Sequence, residues 1–339
     1  MLLWLGELTA ASWVLSYGAE HLSMKYGAKF VGRTLLSVAT TLPEIAIVVY
    51  AAAGGFYGTA IGAGLGSNLL MMTLGLAVML LVATTRLSKA PLKGIDVTTF
   101  KLDKIFLLAT AVVSALLFLD GYNYIDGFIF AGMFVAYLVM ALVEMQADKK
   151  KAKAAKTETA GGHKVVEVQH AQGSNRTMLK AALAFAAGTV GIFFGAGPFI
   201  HSLEGYSTEV GISVIILAVI ISPIAGEMPE KISMILLARK GAAGASIAVA
   251  NVLGSKILNN TLLLAVAVFG AMYHGGFFVS IEANPILEYQ MILVTAVTLI
   301  AVGMMFKKEI GLKIGIILAV MYGISLVIQF LLPQDLTLH

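Results

Sequence analysis

The residues of this sequence best suited to chemistry are carboxylates inside long apolar runs. Residues 221–231 read ISPIAGEMPEK, which places Glu227, Glu230 and Lys231 in a run long enough to cross a membrane. Glu44 has the same setting within SVATTLPEIAIVV. A charged side chain at the centre of a bilayer costs on the order of 3 kcal/mol even on insertion scales. These glutamates therefore predict a buried cation site, because carboxylate oxygens are the ligands that Ca²⁺ prefers.

A proline stands directly before two of these glutamates. Pro43 and Pro229 lack the N–H that a helix interior requires, so each is expected to break its helix and to free the carbonyls of Ala39 and Ala225. A freed carbonyl inside a membrane must meet protein, water or a cation. The two breaks and their carboxylates thus predict clusters of hard oxygen ligands.

The apolar segments that follow are rich in small residues. GTAIGAGLGSN and GASIAVANVLGSK place glycine, alanine and serine at spacings that let two helices approach closely. Ser67 and Ser255, near the ends of these segments, are candidates to add hydroxyl oxygens to the site. The alternative is that both hydroxyls bond only to their own helix backbone.

The elements that must position these residues are membrane helices. The chain of 339 residues is 59% hydrophobic, has a mean hydropathy of +0.90 and is only 12% charged, against about 25% in soluble domains. Apolar stretches of about spanning length lie at 2–19, 32–53, 57–85, 105–119, 123–146, 177–200, 208–238, 242–271, 285–306 and 311–332. The sequence predicts an all-α integral membrane protein with ten transmembrane helices.

The basic residues lie on one side of these spans. If the N-terminus is external, the lysines and arginines that do not lie within spans are in the cytoplasmic loops and their flanks. The external loops contain aspartates and glutamates but no lysine or arginine. This positive-inside pattern predicts a multi-pass protein of the cell membrane with both termini outside. It also explains the sequence pI near 9.0 without a nucleic acid partner.

A polar, lysine-rich segment divides the chain. Residues 147–176, ADKKKAKAAKTETAGGHKVVEVQHAQGSNR, are predicted to be a cytoplasmic linker between a first five-helix half, 1–146, and a second, 177–339. Its lysines could also bind anionic lipid head groups or a regulator.

The two halves contain a sequence repeat. SVATTLPEIAIVVYAAAGGFYGTAIGAGLGSNLLM aligns with SPIAGEMPEKISMILLARKGAAGASIAVANVLGSKILN. Because each half has an odd number of spans, the copies must face opposite ways across the bilayer. Secondary transporters are often built as inverted repeats with helices broken at the membrane midplane. We therefore expect two inverted five-helix repeats with broken helices at midplane.

The paired motifs resemble those of the calcium/cation antiporters, the superfamily of the sodium/calcium exchangers. T-T-L-P-E followed by G-S-N, and P-E followed by A-N-V-L-G-S-K-I-L-N, carry the resemblance, which covers most of the chain outside the linker. It implies that the repeat glutamates are the central Ca²⁺ ligands. The cation ligands that it implies here are Glu44, Thr40, Thr41 and Ser67 in the first half and Glu230, Ser255 and Asn259 in the second.

Three positions depart from the family pattern. Met71 stands where relatives often have a polar ligand, Gly226-Glu227 replaces a small polar pair, and Lys256 replaces an asparagine. Glu227 is either a further cation ligand or the partner of Lys231 in a helical ion pair, since the two are four residues apart.

Lys256 and Lys231 also have two interpretations. An ammonium group is a tethered monovalent cation that can satisfy a carboxylate, so either lysine is a candidate to replace a coupling ion. Otherwise the two lysines extend to the membrane interfaces or only neutralise Glu227.

The resemblance implies a secondary active antiporter that exports Ca²⁺ in exchange for Na⁺, with exchange for H⁺ as the alternative and a passive cation channel or a structural membrane protein as rivals. Ca²⁺ and Na⁺ or H⁺ are its expected partners, no cofactor is expected, and one chain is expected to suffice for transport. Paired aspartates, a Ser–His pair or an H-E-x-x-H motif do not occur within the spans, so an enzyme is not expected.

Overall fold

The computed structural model describes residues 1–23, 37–158 and 175–332, and most of these residues are in α-helices. The α-helices are α1 (Leu2–Ser23), α2 (Ser37–Thr40), α3 (Leu42–Ala53), α4 (Tyr57–Leu70), α5 (Leu76–Thr84), α6 (Lys101–Leu117), α7 (Tyr124–Glu158), α8 (Asn175–Val210), α9 (Val214–Gly226), α10 (Met228–Ala238), α11 (Ala242–Leu258), α12 (Leu264–Gly275), α13 (Pro285–Met304) and α14 (Leu312–Leu331).

Short elements join or interrupt these helices. π-Helical turns at Met71–Gly75 and Asn259–Leu263 connect α4 to α5 and α11 to α12, and 3₁₀ turns at Thr98–Phe100 and Phe118–Asp120 flank α6. Strands β1 (Ile95–Asp96) and β2 (Glu309–Ile310) form a small antiparallel ribbon between the segments preceding α6 and α14. The prediction of an all-α fold therefore holds apart from this two-residue ribbon.

Several helical segments are long and apolar enough to cross a membrane. Within the described residues there are seven: Tyr57–Thr84, Thr98–Asp120, Tyr124–Glu144, Thr177–Val210, Ala242–Gly275, Pro285–Met304 and Leu312–Leu331. They coincide with seven of the ten predicted spans, and the architecture is that of a multi-pass membrane protein. The other three predicted spans, as far as their residues are described, correspond to α1 and to two interrupted helices, so the count of ten stays a prediction.

The two copies of the sequence repeat fold into the same succession of elements. Each has a short helix, a one-residue interruption at Thr41 or Glu227 and a second helix with a glutamate in its first turn. A small-residue helix follows, and a π-helical turn begins four residues after Ser67 or Ser255. The repeat read from the sequence is therefore also a structural repeat, while the inverted orientation of the two copies stays a prediction.

The small residues permit close helix contact, as predicted. Gly66 in α4 packs against the backbone of α9, where an added Cβ would lie 2.0 Å from the carbonyl oxygen of Val219. No side chain fits at that distance, so glycine is required for this contact. It holds the end of α4 that carries Ser67 against the helix that leads to Glu227.

The predicted linker is partly helical. α7 continues to Glu158 and α8 begins at Asn175, so residues 147–158 extend the preceding helix, and 159–174 lie outside the described residues. Lysine and alanine, which favour helix, dominate this extension. The division of the chain at 147–176 stays a prediction.

Candidate functional site

Helix interruptions position the three buried glutamates. The backbone of Thr41 (φ −86°, ψ −5°) separates α2 from α3, and that of Glu227 (φ −87°, ψ 4°) separates α9 from α10. Glu44 and Glu230 lie in the first turns of α3 and α10, where the helix dipole favours a negative charge. Thr41 and Glu227 are equivalent positions of the repeat, so the second copy has one carboxylate more than the first.

The three carboxylates converge although they come from both halves of the chain. One oxygen from each of Glu44, Glu227 and Glu230 can be chosen so that all three lie within 4.8 Å of one another. Glu44 is 4% exposed, and Glu227 and Glu230 are fully buried. Three buried carboxylates this close repel one another strongly, so all three can be ionised only if positive charge lies among them.

Part of that charge comes from Lys256. Its ammonium forms an ion pair with Oε1 of Glu227, lies 3.7 Å from Oε2 of Glu230 and donates a hydrogen bond of 2.9 Å to Oγ of Ser67. The side chain of Lys256 is fully buried. It therefore does not extend to a membrane interface. Its contact with Glu227 is compatible with both remaining interpretations, replacement of a coupling ion and neutralisation of Glu227.

The predicted hydroxyl and amide ligands surround the same cluster. Ser255 donates a hydrogen bond of 2.6 Å to Oε1 of Glu230, and the Ser67 hydroxyl contacts Glu227. With the Asn259 amide oriented to face its donors, its oxygen lies 2.6 Å from Oγ of Ser67 and 3.2 Å from Nζ of Lys256. Both serines thus contact carboxylates across the site, and the alternative in which they bond only to their own backbone is wrong.

Some carboxylate oxygens in the cluster have no hydrogen-bond donor. They are both oxygens of Glu44 and Oε2 of Glu227 and of Glu230. A buried carboxylate oxygen without a partner is costly, and natural proteins retain such atoms where a cation or another ligand uses them. The arrangement can bind a hard cation through oxygens contributed by both halves.

The remaining predicted residues lie differently. The hydroxyls of Thr40 and Thr41 bond to the carbonyl of Ser37, at 3.3 Å and 2.7 Å. Lys231 donates to the carbonyl of Pro223 at 3.1 Å. The predicted alternative in which Lys231 pairs with Glu227 is not what forms, because Glu227 pairs with Lys256. Roles for Thr40, Thr41 and Lys231 in cation binding stay predictions.

Sequence reasoning overlooked a second polar contact beside the cluster. Asn68, the repeat equivalent of Lys256, donates a side-chain hydrogen bond to Asn260 across the two halves, and both side chains are buried. The signal was available, because Asn68 and Asn260 each directly follow a residue already singled out. Met71, by contrast, is fully buried in an apolar cluster.

The chain matches a family of known proteins in two segments. The family described as sodium/calcium exchanger protein matches residues 2–143 and 180–331. An uncharacterized membrane protein of Methanocaldococcus jannaschii is 21% identical over 311 residues, which are 91% of this chain and 90% of the relative. Between them the two segments that match the family leave out residues 144–179, which include the whole lysine-rich segment.

Solved structures share the fold. The H⁺/Ca²⁺ exchanger CAX superposes with a TM-score of 0.77 at 20% identity, covering 98% of this chain and 81% of the other. The sodium-calcium exchanger NCX_Mj superposes with a TM-score of 0.64 at 21% identity, covering 96% of each chain. Identities this low show a common fold and leave the transported ions open.

Proposed function

Because the chain belongs to the sodium/calcium exchanger family, we propose that it is a secondary active antiporter that exports Ca²⁺ from the cytoplasm in exchange for Na⁺. One observation carries the proposal: three buried carboxylates, Glu44, Glu227 and Glu230, lie together, and the buried ammonium of Lys256 pairs with two of them, Glu227 and Glu230. When all four are ionised, three negative charges and one positive leave a net charge of −2. One divalent cation balances that charge.

Glu44 and Glu230 are the central Ca²⁺ ligands in this proposal. They supply three of the four carboxylate oxygens that lack a hydrogen-bond donor, and Glu227 supplies the fourth. Ser67, Ser255 and Asn259 orient these groups or add oxygens as the cation moves through the site, with Thr40 and Thr41 in the interrupted helix beside it. All of these residues belong to one chain, so a monomer suffices for transport.

The site is also suited to alternating access. Ten spans arranged as two inverted halves would place both helix interruptions near the membrane midplane, where one half can move against the other. The basic loops then face the cytoplasm together with the lysine-rich linker, and both termini lie outside. In this orientation Ca²⁺ is released to the outside and the monovalent ion returns inward.

Exchange for H⁺ is the second candidate, and one contact favours it. The ammonium of Lys256 lies within hydrogen-bond distance of Ser67 and Asn259, whose oxygens are among those that would bind Na⁺. Of the two similar solved exchangers, one is described as exchanging H⁺ with Ca²⁺ and the other as a sodium-calcium exchanger. The fold is therefore compatible with either ion.

The proposal is tested in proteoliposomes loaded with Ca²⁺. In separate experiments the lumen has either a higher Na⁺ concentration or a lower pH than the outside. An indicator inside the vesicles then measures whether Ca²⁺ enters against its own gradient. Uphill Ca²⁺ movement driven by Na⁺ supports the proposal, and uphill movement driven only by protons supports the second candidate. A passive channel would let Ca²⁺ run down its gradient with neither ion present, and that result would refute both.

A further inference from the structure

The ammonium of Lys256 occupies a complete cation-binding position. An ammonium has three protons, and three acceptors surround Nζ: Oε1 of Glu227, Oγ of Ser67 at 2.9 Å and the amide oxygen of Asn259 at 3.2 Å. Glu230 adds a fourth oxygen at 3.7 Å, which interacts through charge alone. Carboxylate, hydroxyl and amide oxygens are also the ligands that a hard monovalent metal ion would take from a protein.

The two copies of the sequence repeat differ at this cation. The residue after the serine is Lys256 in the second copy and Asn68 in the first, where the side chain bonds to Asn260 instead of to a carboxylate. The second copy also has the extra carboxylate, Glu227, where the first has Thr41. The additional negative charge and the additional positive charge thus occur together, in contact, and within one repeat.

We infer that Lys256 is a permanent substitute for one monovalent counter-ion, so that the protein exchanges one Ca²⁺ for two monovalent cations and moves no net charge. This inference rests on the proposed exchange function and adds its stoichiometry. With Lys256 fixed in the site, the net charge of −2 is balanced either by one Ca²⁺ or by two free monovalent cations. Without it, three carboxylates would take three monovalent cations, and each cycle would carry one net charge.

Lys231 does not occupy this cation-binding position. Its ammonium bonds to the carbonyl of Pro223, and its side chain is only partly buried. Its charge acts on the carboxylates at longer range than that of Lys256. The inference predicts that replacing Lys256, and not the exposed Lys313, makes transport sensitive to membrane potential.

The test measures the Ca²⁺ gradient at which net flux reverses, in proteoliposomes clamped at 0 and 100 mV with K⁺ and valinomycin. One elementary charge in 100 mV corresponds to about 2.3 kcal/mol, or about 50-fold in a concentration ratio. Between 0 and 100 mV we expect no change in the reversal gradient for the wild-type protein and a change of about 50-fold for Lys256→Asn. This variant places in the second copy the residue type that the first copy has at the equivalent position. Lys256→Gln is the second variant, and Lys313→Asn, at an exposed position in α14, is the matched control.

The outcomes separate the stoichiometry from the function itself. A shift of about 50-fold in the wild-type protein would overturn the inference while leaving Ca²⁺ exchange in place. An unshifted reversal gradient in both transporting Lys256 variants would overturn it as well. If neither variant transports, the wild-type measurement alone decides, because its zero or 50-fold shift gives the stoichiometry directly. Wild-type protein that moves no Ca²⁺ under either counter-ion gradient would refute the proposed function and the inference together.

Discussion

Lys256 and Glu227 form an ion pair in which both side chains are fully buried, although the lysine lies within α11 and the glutamate at the junction of α9 and α10. A buried pair gains little over apolar residues, but breaking it leaves one charge without a partner. The pair therefore fixes the position of the helix interruption relative to α11.

Removing Lys256 alone should destabilise the protein more than removing both members of this pair. Lys256→Met leaves three buried carboxylates without their ammonium, and the expected loss is about 3–5 kcal/mol in the free energy of unfolding. The double variant Glu227→Gln with Lys256→Met should lose less than Lys256→Met alone, because one repelling carboxylate is also gone, and Glu227→Gln completes the comparison. Unfolding in mixed detergent micelles measures all three variants, and additive losses would contradict a direct coupling.

Glu44 and Glu230 should each be indispensable for transport. Glu44→Gln and Glu230→Gln each remove one negative charge from a site whose net charge of −2 balances Ca²⁺. We expect Ca²⁺ transport in proteoliposomes to fall by about tenfold or more, with the fold intact, because a glutamine oxygen is a weaker ligand than a carboxylate.

The control for this pair of variants is Glu282→Gln, at an exposed position, which should transport as the wild type does. Elution as a single species in size-exclusion chromatography would establish that each variant is folded. Near-normal transport by a folded Glu44→Gln or Glu230→Gln protein would exclude these carboxylates as the central ligands.

The contact between α4 and α9 should not tolerate a methyl group at Gly66. A Cβ there would lie 2.0 Å from the carbonyl oxygen of Val219, so Gly66→Ala must push the two helices apart. At Gly64 the nearest atom is a side-chain methyl of Leu263 at 3.2 Å, which can move aside. We expect a lower thermal unfolding temperature for Gly66→Ala than for Gly64→Ala, together with a loss of Ca²⁺ transport. Equal stability of the two variants would refute this account of the contact.

The orientation of the chain can be tested with single cysteines, because the sequence has none of its own. Ser174, in the predicted cytoplasmic linker and outside the described residues, should react as Ser174→Cys only when a membrane-impermeant maleimide reaches the cytoplasmic face. Thr208→Cys, at an exposed position near the end of α8, should react in intact cells. Reversal of this pattern would invert the proposed topology.

The sequence by itself determined that the chain lies in a membrane, that it contains a repeat and which glutamates stand beside prolines in its apolar runs. Long apolar runs leave a chain little choice but membrane helices, since backbone groups in lipid must be paired within the segment. Glutamates beside prolines in such runs are costly enough to signal a site, and Glu44 and Glu230 were found in this way. These features are local, so they can be read from composition and spacing.

Only the tertiary structure decided which charges meet. The sequence left Glu227 with two possible partners, because Lys231 has helical spacing from it while Lys256 is separated from it by α10, a turn and most of α11. The packing of α11 against α10 and of α4 against α9 selected Lys256 and brought Ser67 and Glu44 to the same cluster. Spacing along one helix cannot predict such a choice, because the energies of buried charges depend on contacts between elements distant in sequence.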